Sequence, residues 1–264
     1  MPSVHHTHSQ LSPSAILARD KKYITCLRLV EHIVNRELGA ILSSEYYKNL
    51  GKVSSFIDRS LDSLTLSQKA LLLEGFDDLF HNLIRAQCQE DFNSIVFKQI
   101  DLNQFNLHCT LTELYALYSF VSYQKELGLL VELKSFGKSI ISVSIRQNLA
   151  VSSIEITTLL EQEGKLVIGL LESNLAHRCN SANNLKQTIA LLTRFEQILN
   201  LGDDFLDVRK DINTGRISIQ KSIHHRFILF AKLISQIIRT FTKNPLKCMY
   251  YYPKCSFYYL KYSR

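Results

Sequence analysis

Between Ser14 and Asn244 the chain has no proline, and the whole of its 264 residues holds only nine glycines. Proline breaks a helix interior, and β-rich folds need frequent Gly and Pro to turn. So long a stretch without punctuation therefore favours long helices. Apolar residues recur at helical spacing where this can be checked, as at Ile24, Leu27, Val30, Val34 and Leu38. The expected class is all-α.

Reading the period along the chain predicts helices at about Ser14–Leu42, Ser43–Asp62, Ser67–Cys88 with Ser67 as N-cap, Gln89–Ile100 and Thr112–Leu130. Residues 139–145, Ser-Ile-Ile-Ser-Val-Ser-Ile, have the β-branched content of a strand. No partner strand is evident, so they read as helix. Further helices are expected at Glu155–Ala176, bent or interrupted near Gly164, at Leu185–Ile212 and at Ile219–Thr242. Pro245 should end the last of these. The expected organisation is a flexible leader over residues 1–14, one helical domain over 15–244, and a basic aromatic tail without helical period over 245–264.

With 46% apolar and 21% charged residues the chain is globular, not disordered. No apolar run approaches the ~20 residues that cross a bilayer. The start of the sequence has no apolar signal region, and six scattered cysteines show no CxxC spacing; both suit a cytoplasmic protein with reduced thiols. The His5, His6 and His8 cluster is expected to be an unstructured feature of the leader. The formal net charge is +7, and Lys243, Lys247, Lys254, Lys261 and Arg264 have no acidic residue among them. Phosphate-bearing ligands or an anionic membrane surface would suit that sign. No nucleic-acid motif accompanies it, so no nucleic-acid partner is expected.

The stretch Asn200–Gly215, NLGDDFLDVRKDINTG, carries the chemistry. It sets Asp203, Asp207 and Asp211 on one side of a helix over successive turns, with Asp204 beside the first. Three stacked carboxylates repel one another unless water or a cation relieves them. Leu201, Phe205, Val208 and Ile212 fall opposite, which alone would describe a solvated amphipathic helix. Upstream, however, Leu185, Ile189, Leu192 and Leu199 lie on the same side as the aspartates, and a helix apolar on both sides is buried. That favours one wall of a metal site over a wet surface.

A magnesium site shares its ligands among several groups, so a second acidic helix is expected. Asp58 and Asp62 are four apart and share a face with Gly51, Ser54 and Ser55. Asp77 and Asp78 are the alternative, although Glu74, Asp77, His81 and Asn82 form one polar arc of the kind an exposed face shows.

Asp203-Asp-Phe-Leu-Asp207 resembles the DDxxD motif of class I isoprenoid synthases. The longer DDFLDVRKD looks most like the second motif of the squalene/phytoene synthase and bacterial large-terpene synthase branch. Asp58-Arg-Ser-Leu-Asp62, followed by Leu64-Thr-Leu-Ser-Gln-Lys69, has the layout of that branch's first motif. The resemblance covers roughly residues 20–240. It implies a single-domain helical bundle with a central cavity, in which Asp58, Asp62, Asp203, Asp207 and Asp211 hold Mg²⁺ ions that bind a prenyl diphosphate and promote its ionisation. Lys165, Lys210 and Arg216 are the expected diphosphate contacts. Glu161-Gln-Glu-Gly-Lys165 resembles the helix break that precedes the second motif in such enzymes. The competing reading is a non-catalytic helical protein that binds a lipid or a partner, its tail making peripheral membrane contact. A di-iron bundle would need Glu-x-x-His pairs, and Glu31-His32 has the wrong spacing.

Overall fold

A computed structural model describes residues 13–87, 110–213 and 222–262; within its helices the side chains of some residues, Asp203, Asp207, Lys210 and Asp211 among them, lie outside the described set. The described residues form ten helices and no strand: α1 Pro13–Leu38, α2 Ser44–Ser63, α3 Leu66–Glu74, α4 Phe76–Gln87, α5 Leu111–Glu126, α6 Leu130–Leu149, α7 Ser153–Ala176, α8 Ala182–Asn213, α9 Ser222–Lys243 and α10 Pro245–Tyr262. The all-α expectation holds.

Local chemistry sets most of the boundaries. α1 stops at Leu38 because Gly39 adopts φ 87°, a left-handed conformation that costs glycine little. The helix expected to reach Leu42 therefore ends a turn early. Ser43 caps α2 by accepting from the Tyr46 amide. The N-cap of α3 is Thr65, two residues before the expected Ser67, and it forms a reciprocal capping box with Gln68. The expected Ser67–Cys88 helix is divided at Gly75 into α3 and α4. Residues 139–145 are helical within α6, as read. The helix expected at Gln89–Ile100 and the His5–His8 cluster lie outside the described residues.

The main core joins α1, α2 and α5 to α7 and α8 through Ile33, Val34, Tyr47, Leu50, Val121, Leu171 and Leu192, all nearly inaccessible. Polar ties cross it. Arg59 of α2 pairs with Glu113 of α5 at 2.6 Å in a buried setting, and Glu113 also accepts from the Thr110 amide at the start of its own helix. Gln124 of α5 donates to Asn174 of α7 at 2.7 Å. α7 and α8 form an antiparallel hairpin, and α9 folds back along α8.

The tail differs most from expectation. The helix expected to end before Pro245 does so, at Lys243, and Pro245 then opens a further helix, because the first helical position has no use for an amide donor. α10 packs on α1: the Tyr251 hydroxyl donates to Glu37 at 2.9 Å, Lys247 pairs with the same carboxylate, and the Arg36 guanidinium sits 3.7 Å from the Tyr250 ring centroid. Tyr251 also meets Phe195 of α8 edge-on at 5.9 Å, so the aromatic tail is part of the core.

Candidate functional site

The rotational setting of α8 follows from what its described side chains touch. Leu201 and Val208 are fully buried and cluster with Leu229 of α9. Phe205 packs at 5.7 Å on Phe230, and Arg226 lies over the Phe205 ring while its Nε donates to the Phe205 carbonyl. This side of α8 therefore faces α9. On the other side Leu185, Ile189 and Leu192 are buried in the main core. The helix is apolar on both sides, as its sequence pattern requires.

Glu196 and Asn200 occupy the side away from α9, and their contact points are described. The Glu196 carboxyl lies directly over Gly164 of α7, where any Cβ would overlap its oxygens. Asn200 Nδ2 donates to Glu196 Oε1, whereas Oε2 is fully enclosed and has no hydrogen-bond partner. Burial, reinforced by the nearby Glu163 charge, pushes the Glu196 carboxyl up to about 8, with the Asn200 hydrogen bond working weakly against it. At neutral pH it is largely protonated. By helical register, positions 203, 207 and 211 continue the line begun by Glu196 and Asn200. α7 itself runs unbroken through Gly164, so the glycine provides room for a carboxyl and does not interrupt the helix.

A second enclosed polar group stands near the far end of this stretch. His225, one turn before Leu229, is completely buried and neither ring nitrogen has a partner. Burial, with a smaller contribution from His224, holds its pKa below the ordinary value and the ring neutral.

No protein-family model, curated protein or solved structure matches this chain.

The remaining expected site residues are distributed as follows. Asp58 is half-buried and accepts from the Tyr23 hydroxyl of α1 at 2.6 Å; Asp62, one turn on, is exposed. α1 packs against both α2 and α8, while among the described residues α2 and α8 themselves share no substantial packing. Asp77 is exposed and held by Lys134 and Lys138 of α6 at 2.9 and 2.6 Å, which lower its pKa. That pairing gives Asp77 a surface role between α4 and α6. Asp78 is exposed beside it, and Lys165 is exposed on α7. Lys210 has its backbone in α8 but its side chain outside the described set, and Arg216 lies outside it altogether. Among the described residues no three His, Cys, Asp or Glu converge closely enough to hold a metal ion; the side chains of Asp203, Asp207 and Asp211 are not among those described.

Glu196 and His225 were not singled out by sequence reasoning. The signal for Glu196 was present: it lies seven residues before Asp203, two turns along the same face, among leucines. His225 gave none, because His224 and Arg226 on either side of it make the stretch read as polar.

Proposed function

We propose that this protein is a Mg²⁺-dependent class I isoprenoid synthase that ionises a prenyl diphosphate, leading to terpene cyclisation or prenyl condensation. One observation carries the reading: Asp203, Asp207 and Asp211 occupy successive turns of a single helix whose described residues are buried on two sides. Carboxylates at that spacing in such a helix need a cation to tolerate one another.

The donor set suits magnesium, which prefers hard carboxylate oxygens completed by water and phosphate. The enclosed Glu196 Oε2 on the same line supports a polar interior on that side. Asp203, Asp207 and Asp211 would hold the metal from α8, and Asp58 and Asp62 from α2. When bound, Mg²⁺ neutralises the leaving diphosphate. The chain's own residues supply the rest: Lys165, Lys210 and Arg216 would meet diphosphate oxygens, and apolar helix faces would keep water from the allylic cation. A central cavity between these helices belongs to the same proposal, as does a location at or near the cytoplasmic face of a membrane.

The test is release of pyrophosphate from geranyl, farnesyl or geranylgeranyl diphosphate. Release should require Mg²⁺ and fall by about 10²-fold or more in Asp207→Ala. Absence of turnover with all three substrates, together with a melting temperature indifferent to Mg²⁺ and pyrophosphate, would overturn the proposal.

A further inference from the structure

Four side chains converge where α10 packs on α1, and none of them belongs to the proposed site. His32 and Arg36 lie one turn apart on α1, Tyr250 and Lys254 one turn apart on α10. The Arg36 guanidinium rests 3.7 Å from the Tyr250 ring centroid, and the Lys254 ammonium 4.2 Å from it. Lys254 Nζ also donates to the Tyr250 hydroxyl and to His32 Nε2, each at 2.8 Å. An ammonium can only donate, so the imidazole accepts and carries its own proton on Nδ1.

The cluster therefore gathers two positive charges around a neutral imidazole and a phenol. Among the described residues no carboxylate offsets them. Glu37, next to Arg36, uses one oxygen on the Tyr251 hydroxyl at 2.9 Å and the other on Lys247. Glu31, next to His32, accepts from Ser44 of α2, and α10 contains no Asp or Glu. The carbonyl end of α1 offsets Arg36 in part only. The Lys254 hydrogen bond, with the Arg36 charge behind it, holds the Tyr250 phenol below its ordinary pKa; burial, then the Lys254 and Arg36 charges, does the same for His32, and no acid acts on either. Arg36 is exposed and Lys254 half-buried, so solvent reaches both. The third ammonium hydrogen of Lys254 and the outer N–H groups of Arg36 remain to be satisfied. A compact cation beside a guanidinium fork is a donor pair that suits the oxygens of a phosphate.

We infer that this cluster is a binding site for a single phosphate group, whose oxygens Arg36 and Lys254 share while the Tyr250 ring and hydroxyl keep both cations in place. The chemistry is the same for a soluble phosphate monoester and for a lipid headgroup. In the second case Leu246, one turn before Tyr250 and 81% exposed, would meet the apolar part of the lipid. The inference does not depend on the proposed activity and needs no Mg²⁺. A phosphate held by two solvent-reached cations binds at about millimolar strength, far more weakly than a Mg²⁺-dependent pyrophosphate site.

Nitrogen-resolved NMR spectra, followed as inorganic phosphate is added at constant ionic strength, test it. The Arg36 side-chain N–H and the Tyr250 and Lys254 amides should shift together and saturate, with a half-point of about 1–10 mM. Arg36→Gln with Lys254→Gln should weaken binding about tenfold or more, in a chain whose remaining spectrum shows it folded. Arg239→Gln with Lys243→Gln removes the same charge from α9 and should leave binding unchanged. Flotation with phosphatidylcholine vesicles, with and without about a quarter phosphatidic acid, identifies the source. Vesicle binding that needs phosphatidic acid and is lost in Arg36→Gln with Lys254→Gln assigns the phosphate to a headgroup; saturable binding in solution without it assigns a soluble ester. No saturable shift up to about 50 mM phosphate together with no preference for phosphatidic acid would overturn the inference. So would unchanged binding in Arg36→Gln with Lys254→Gln, or equal weakening in the α9 pair.

Discussion

The Glu196 carboxyl rests on the Cα of Gly164, in space that only a residue without a Cβ leaves open. Gly164→Ala should therefore push the carboxyl aside. Alanine favours a helix interior by about 1 kcal/mol over glycine, whereas overpacking costs about 1–3 kcal/mol. The expected net effect is a modest loss of stability, reversed when Glu196→Ala is added. A double-mutant cycle read by urea unfolding should give a coupling of about 1 kcal/mol or more.

Stability should follow a dome in pH whose two limbs belong to different residues. The Glu196 carboxyl is raised from 4.5 to about 8, so the folded state holds a proton that the unfolded state has released, and stability falls as pH rises through that window. At about 1.4 kcal/mol per unit the upper bound is roughly 5 kcal/mol. His225 is lowered, so the unfolded state takes up a proton first and stability falls as pH drops below about 6.5. Melting temperatures from pH 5 to 9 should show Glu196→Gln flattening the alkaline limb and His225→Leu the acidic one.

The fold was legible where helical period and cap chemistry agreed, as along α2 and α8. It was misread where a single residue decides a boundary: Gly39 ends α1 early, and Gly75 divides α3 from α4. The tail was misread for another reason. Tyr250, Tyr251 and Tyr252 show no stripe because α10 uses them on several sides at once, against Glu37, Arg36 and Phe195. Of the candidate site, the α8 stripe was visible as spacing, but the buried carboxyl at its head depends on a contact between Gly164 and Glu196, which no local pattern contains.

Because Tyr251 is enclosed and ties α1 to α8, Tyr251→Ala should cost about 3–5 kcal/mol, whereas Tyr251→Phe, losing only the bond to Glu37, should cost about 1 kcal/mol. Removing residues 245–264 should likewise lower the melting temperature. A truncated chain as stable as the whole would contradict the packing of α10.

The buried pair Arg59–Glu113 should be costly to halve. Arg59→Met leaves Glu113 uncompensated between α2 and the start of α5, at about 3–5 kcal/mol, and Arg59→Met with Glu113→Gln should recover part of that loss in chemical denaturation.

The acidic line on α8 is tested most directly by calorimetric titration of inorganic pyrophosphate into the protein, with and without Mg²⁺. Binding should appear only with Mg²⁺, vanish in Asp203→Asn with Asp207→Asn, and persist in Asp77→Asn, whose carboxylate is held by Lys134 and Lys138. Binding that ignores Mg²⁺, or that survives loss of Asp203 and Asp207, would contradict the account.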